Sequence, residues 1–292
     1  MRILIVSQYF WPEYFRVNEI SQYLSKKNCK VDILTGVPNY PEGKIFPQYL
    51  TNKAKYDKYY GANVFRLPII LRKSSNKFWL FFNYISFVIY GLIYGPILLK
   101  NRGYDAIFTF GTSPITSALV ANYLAKIKHC KSYIWVLDSW PEILSELKII
   151  NNKIILNFLN QIVKKIYNEC DYIFAQSHGF ILSIGEKIGD RKKISYLPAW
   201  AESLQQKGKI KLKKKNLINK LKIVFTGNIG EAQNFDNILK VMFFFRNYNN
   251  IIWIIVGSGR KIKDIKEKVE YLKMKNIIFE GNQPHYKIKH YH

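Results

Sequence analysis

Short apolar, β-branched runs alternate with longer amphipathic segments along most of the chain. That alternation is the pattern of a parallel α/β sheet. The runs at 2–7, 31–35, 63–67, 106–110, 132–137, 172–175 and 193–197 predict strands. Residues 17–28, 114–128 and 153–170 carry apolar positions at helical spacing. A second series follows: strand 222–226, helix 234–247, strand 251–256, helix 261–275 and strand 276–280. Between the two series, from residue 205, the chain is basic with acid all but absent, which suits a linker. The expected organisation is an N-terminal domain at 1–204, a linker at 205–221 and a C-terminal domain at 222–292.

One segment breaks the alternation. From Phe78 to Leu99 the chain is apolar for long enough to cross a bilayer. The strands at 63–67 and 106–110 lie on either side of it, and a single crossing would keep them out of one sheet. Basic residues flank both ends (Arg72, Lys73 and Lys77; Lys100 and Arg102), so charge gives no orientation. The reading adopted is a helix of the first domain that is partly exposed and dips into the membrane interface. A helix buried within the protein and a true span are the alternatives.

Composition then narrows the partners. The 292 residues fit one large or two ordinary domains, and 48% hydrophobic content is ample for buried cores. A net charge of +25 implies attraction to something anionic: nucleic acid, acidic lipid or a phosphorylated small molecule. The lysines are spread along the chain, with no zinc-finger spacing and no RNA-binding aromatic signature, so nucleic acid is not the expected partner. Cys29, Cys130 and Cys170 are isolated and odd in number, giving neither a disulfide framework nor metal spacing. A reduced cytosolic compartment is expected. The opening Arg-Ile-Leu-Ile-Val is too short and wrongly flanked for a signal peptide.

Candidate chemistry sits at strand ends. Around Gly227, Asn228, Gly230 and Gln233 a strand runs through a Gly/Asn-rich turn into a helix, an arrangement that aims backbone N–H groups at a phosphate. Gly257, Ser258, Gly259 and Arg260 end the next strand and outline a second glycine-lined wall of one crevice. The loop after the first strand is not Gly-x-Gly-x-x-Gly, which counts against a dinucleotide-binding first domain. Arg16 there is either an anion ligand or a solvated first-turn residue. The stretch from Thr35 to Lys44 is a rigid loop, functional or merely connecting. Asp138 suits polar recognition or electrostatics, and Glu142 either binds a sugar hydroxyl or is ordinary first-turn chemistry after Pro141. His178, His285, His290 and His292 lack partners at ligand spacing, so no metal site is expected.

Five stretches carry a family resemblance as an ensemble: Ser7-Gln-Tyr-Phe-Trp-Pro-Glu13, Thr35-Gly-Val-Pro-Asn-Tyr-Pro-Glu-Gly-Lys44, Leu137-Asp-Ser-Trp-Pro-Glu142, Tyr196-Leu-Pro-Ala-Trp-Ala-Glu202 and Phe225-Thr-Gly-Asn-Ile-Gly-Glu-Ala-Gln233. The chain from Met1 to about Gln283 resembles the family 4 retaining glycosyltransferases of the GT-B fold. It is most similar to the bacterial surface-polysaccharide branch that includes the L-fucosamine (N-acetylfucosamine) transferases of O-antigen and capsule synthesis. The resemblance implies two Rossmann-like domains facing across a cleft, with acceptor on the first, a nucleotide sugar of UDP type on the second, and no bound metal or other cofactor. It implies a lipid-diphosphate-linked glycan acceptor and a peripheral position on the cytoplasmic face of an anionic membrane. Asp138, Arg16 and Glu142 would then face the acceptor or the reacting centre. Gly227, Asn228, Gly230, Gln233, Gly257, Ser258, Gly259 and Arg260 would cradle the diphosphate. In many relatives a Gly-Arg…Lys-Gly pattern supplies cations to it, and here Asn228 and Gln233 stand in those places. Amides donate without charge assistance. The family's second domain also continues into a Glu-x7-Glu segment that this sequence does not contain. An incomplete donor domain with impaired transfer is therefore expected, and a catalytically inactive membrane-associated remnant or binding module is the alternative.

Overall fold

A computed structural model describes residues 1–40, 43–72, 77–200, 219–288 and 291. The chain forms two compact units, Met1–Trp200 and Ala201–His292. Most of the expected linker, residues 205–218, lies outside the described residues, as do Pro41, Glu42, Lys73, Glu202, His290 and His292.

In the first unit β1 (Arg2–Val6), α1 (Arg16–Lys26), β2 (Lys30–Gly36), α2 (Pro47–Thr51), β3 (Lys58–Tyr59) and β4 (Ala62–Leu67) come first. Then follow α3 (Lys77–Leu98), β5 (Ala106–Gly111), α4 (Ser117–Ile127), β6 (Lys131–Val136), α5 (Glu142–Glu146), α6 (Lys153–Glu169), β7 (Tyr172–Ala175), α7 (His178–Gly185) and β8 (Ile194–Tyr196). The strands form one sheet in the order β3-β4-β2-β1-β5-β6-β7-β8. Every pairing is parallel except β3 with β4. The continuous apolar run of β1 follows from burial on both faces. Leu4 and Val6 join Leu34, Leu67, Phe87, Val120 and Leu124 on one side. Ile3 and Ile5 join Phe10, Val17, Ile33 and Trp135 on the other. Each such side chain contributes about 1.5–3 kcal/mol on burial. The edge hairpin β3–β4 is absent from the sequence expectation, which has only a strand at 63–67. Its turn rests on Tyr60 and Gly61, both left-handed at φ 45° and 87°, the pairing that closes a two-residue hairpin.

The apolar helix α3 is half-buried. Asn83, Ser86 and Phe87 face inward. Gly91 and Gly95 lie against α4: a Cβ on Gly91 would stand 2.7 Å from a Val120 methyl. Phe78, Phe81, Ile89, Ile93 and Ile97 form an outward apolar face. The strands on either side of it, β4 and β5, lie in the same sheet, so a single membrane crossing does not fit this topology. At its C-terminal end Lys128 Nζ donates to the Leu99 carbonyl at 2.6 Å. Arg102, counted above as a basic flank, is paired with buried Asp32 at 3.0 Å.

The second unit comprises β9 (Leu221–Thr226), α8 (Phe235–Phe244), β10 (Ile251–Val256), α9 (Ile262–Tyr271), β11 (Ile277–Gly281) and α10 (His285–Ile288). Its parallel sheet has the order β11-β10-β9. All six residues of the central β10 are buried. Ile251, Trp253 and Ile255 pack with Phe235, Leu239, Met242, Ile265 and Val269 into one core.

Candidate functional site

Strand order in the first unit reverses at β1: the chain proceeds through β2 to β4 on one side and through β5 to β8 on the other. Open α/β sheets bind ligands at such a reversal, outside the carboxyl ends of the strands. The loops that follow β1, β2, β5 and β6 all stand at that edge.

Glu13, which the sequence reading did not single out, joins the first two of these loops. Its buried carboxylate accepts the Phe10 N–H at 3.2 Å, the Asn39 N–H at 2.7 Å and the Tyr40 N–H at 2.6 Å. Burial pushes the carboxyl up to about 7, outweighing the opposing pull of those three N–H groups and of Arg66. Arg66 makes a second clasp, donating to the Gly36 carbonyl at 3.0 Å and the Trp11 carbonyl at 2.5 Å. Glu13 closes the Ser7–Glu13 stretch of the family resemblance, but nothing in that stretch gives its partners. Its role depends on backbone N–H groups brought from β2.

A second group gathers on the same edge. Asn83 of α3 accepts from Gln8 Nε2 at 2.7 Å and donates to the Ile70 carbonyl at 2.5 Å. Arg72 Nη1 reaches the Tyr9 hydroxyl at 3.5 Å, and its guanidinium lies 5.2 Å from the Tyr40 ring. Burial raises the Tyr84 phenol, Arg72 opposes that, and Asp138 adds to it, so Tyr84 stands within electrostatic reach of both.

The three residues expected to face the acceptor take separate positions. Asp138 Oδ2 accepts from the Ser113 N–H at 2.6 Å and the Ser113 hydroxyl at 2.8 Å, joining the ends of β5 and β6. Trp140 Nε1 donates to the same hydroxyl at 2.9 Å. Among the described residues Asp138 Oδ1 accepts no hydrogen bond. Glu142 is bound by Lys187 Nζ at 2.6 Å and by the Ser139 hydroxyl at 3.0 Å. Burial raises its carboxyl, but these bonds outweigh that and hold it below the ordinary carboxylate range. Arg16 opens α1 and lies 5.8 Å from the Trp200 ring. Trp200 in turn stacks on Trp135 at 5.2 Å and donates to Glu19 at 2.9 Å. Among the described residues no hydrogen bond or ion pair joins Arg16, Asp138 and Glu142 to one another. His178 is exposed and stacks on Tyr196 at 4.6 Å. The described residues contain no group of three or more His, Cys, Asp or Glu placed to hold a metal ion.

In the second unit the two glycine-rich loops form one continuous rim. They extend the β9–β10 ladder past the strand ends: Gly227 N–H donates to Val256 O at 3.0 Å and Ile229 N–H to Ser258 O at 2.9 Å. Gly257 N–H donates to Gly281 O at 2.8 Å, and Lys261 N–H returns to Ile229 O at 3.1 Å. Gly257 is required by this approach, since at φ +137° a Cβ would stand 1.9 Å from the Gly227 carbonyl oxygen. Gly230 N–H is taken by Gln233 Oε1 at 3.1 Å, a cap on a short 3-10 turn. α8 begins only at Phe235, after left-handed Asn234. The expected cradle of free backbone N–H groups is thus corrected at Gly227, Gly230 and Gly257, whose donors are committed internally. Asn228, Ser258 and Arg260 remain exposed, able to present side-chain donors.

No family model matches the chain. An uncharacterized glycosyltransferase of Methanocaldococcus jannaschii is 23% identical over 293 aligned positions, 96% of this chain and 69% of that protein. The crystal structure of Anabaena HepE in complex with UDP matches with a TM-score of 0.63 at 11% identity, over 97% of this chain and 70% of that one. WaaG, a glycosyltransferase involved in lipopolysaccharide biosynthesis, matches with a TM-score of 0.61 at 9% identity, again over 97% and 70%. The chain therefore has the GT-B fold of these glycosyltransferases, two Rossmann-like units in one polypeptide.

Proposed function

We propose that this protein is a retaining, family 4 glycosyltransferase that moves a sugar from a UDP-sugar to a lipid-diphosphate-linked glycan in the synthesis of a bacterial surface polysaccharide such as O-antigen or capsule. The observation that carries the reading is a fold shared over 97% of the chain with an Anabaena protein crystallised with UDP and glucose. The similarity to a relative named as a glycosyltransferase supports it. Acceptor chemistry falls to the first unit, where Asp138 keeps one oxygen without a partner among the described residues. Donor binding falls to Asn228, Ser258 and Arg260, which would meet the diphosphate with two neutral donors and one cation. With no protein nucleophile assigned, the departing phosphate takes the proton of the acceptor hydroxyl.

The same reading sets the protein on the cytoplasmic face of the membrane. The outward apolar face of α3 and an excess of 45 basic over 20 acidic residues suit an anionic bilayer. Calorimetric titration with UDP, followed by transfer from labelled UDP-sugars to a polyprenyl-diphosphate-linked sugar, tests the function. Saturable UDP binding with transfer is expected. Absence of UDP binding would overturn the reading, and binding without transfer would replace it with a nucleotide-binding module.

A further inference from the structure

Among the described residues Arg72 is held in place without a carboxylate. Ile70, two residues earlier, is pinned to α3 from two sides, through Ser86 Oγ on its N–H at 2.9 Å and Asn83 Nδ2 on its carbonyl at 2.5 Å. From the β2 loop, Gly43 packs so closely on the Arg72 carbonyl that a Cβ there would lie 2.0 Å from its oxygen. The guanidinium is half-buried, beside the Tyr40 ring and the Tyr9 hydroxyl. No acidic side chain among the described residues pairs with it. Arg102 and Lys187 of this unit are neutralised by Asp32 and Glu142, whereas Arg66 and Lys193 spend their donors on backbone carbonyls. A positioned, partly desolvated guanidinium without a counter-ion is a binding element for a planar or multidentate anion.

We propose that Arg72, with the hydroxyls of Tyr9 and Tyr84, forms an anion subsite in the first unit that takes the diphosphate of the acceptor. The proposal deepens the glycosyl-transfer reading, on which the identity of the anion rests. Burial keeps both phenols protonated and free of competing charge. The Tyr9 hydroxyl accepts from Arg72 and donates to Asn83 Oδ1 only over a long 3.5 Å contact, a proton that a seated anion would take over. Their rings stand at the strand-order reversal, where Asp138 acts on Tyr84 as well. A lipid-linked diphosphate seated there would bring its attached sugar to the edge that carries Asp138.

The test uses the full chain and calorimetry with inorganic pyrophosphate, farnesyl diphosphate and UDP. Arg72→Gln should weaken pyrophosphate binding about tenfold or more, and Tyr84→Phe several-fold, with UDP binding unchanged. Lys126→Gln, an exposed cation on α4, sets the effect of losing one surface charge. If Arg72→Gln does not fold, Tyr9→Phe and Tyr84→Phe decide, since each removes only a hydroxyl. Unchanged pyrophosphate affinity in these variants would overturn the subsite. Equal losses for UDP and pyrophosphate would assign Arg72 to the donor and overturn the acceptor role. Failure of farnesyl diphosphate to compete with pyrophosphate would restrict the site to free anions and overturn it likewise. A chain that binds no UDP defeats the glycosyl-transfer reading alone, because the pyrophosphate series still decides the subsite.

Discussion

Gln8, two residues past β1, donates a 2.7 Å hydrogen bond to Asn83 on α3, and both side chains are buried. This bond ties the long apolar helix α3 to the loop at the strand-order reversal. An amide inside a helix that otherwise reads as membrane-spanning is explained by it. The polar group exists to meet a loop of the same sheet, not a lipid or another span.

Replacing Asn83 by Leu should destabilise the first unit by roughly 2–5 kcal/mol. The change removes the partners of Gln8 Nε2 and the Ile70 carbonyl and leaves both without their hydrogen bonds. Denaturant unfolding followed by tryptophan fluorescence measures it. A loss below 1 kcal/mol would show that the loop relaxes around the missing bond.

Glu13 makes stability depend on pH. Its folded carboxyl is raised from 4.5 to about 7, so the penalty for ionising it is absent below about 4.5. As pH climbs through that window the unfolded chain ionises first and stability falls, by about 3 kcal/mol in all, then levels above 7. Glu13→Gln should flatten that part of the stability curve. Parallel curves for the two proteins between pH 4.5 and 7 would refute the assignment.

Asp138 and Glu142, both expected to face the acceptor, should separate in the assay. Asp138→Asn is expected to lower transfer by about 10²-fold or more, through lost positioning of the acceptor, with UDP affinity unchanged. Glu142→Gln should leave transfer near wild type and cost about 1 kcal/mol of stability, because its half-exposed ion pair with Lys187 is partly screened by solvent. The reverse ranking in steady-state kinetics would exchange their roles.

Two glycines of the second unit should also part. Gly257→Ala places a methyl against the Gly227 carbonyl and demands a φ that alanine rarely adopts, so a loss of about 2–4 kcal/mol and of UDP binding is expected. At Gly230 a methyl meets only the Asn228 and Gln233 side chains, at 2.8 and 3.2 Å, and φ is −125°. Gly230→Ala should fold with little cost. Thermal melts of the two variants, run beside UDP titrations, check the contrast.

The outward face of α3 gives a last expectation. Ile89→Glu with Ile93→Glu should abolish co-sedimentation with vesicles rich in phosphatidylglycerol while leaving the melting curve unchanged, since both side chains are exposed. Retained sedimentation would move the membrane contact elsewhere.

The alternation of apolar runs was enough to read the parallel sheet, because strands buried on both faces must be apolar at every position, as in β1 and β10. Asp138 was legible for a related reason: a lone carboxylate directly after such a strand falls at the carboxyl edge whatever the loops do. The β3–β4 hairpin was not, since a two-residue strand is too short to show a period.

The sequence by itself determined the sheet strands, the two series of elements and the chemistry available at their ends. Only the tertiary structure decided what those groups do. Glu13 gains its role from N–H groups some twenty-six residues away in the chain. Gly230 loses its free N–H to Gln233, and the Gly227 and Gly257 donors go to neighbouring strand ends. Among the described residues Arg72 stands without a carboxylate partner where Arg102 is neutralised. Hydrogen-bond donors and charges are committed or left available by their neighbours in space, and residue order does not encode that distance.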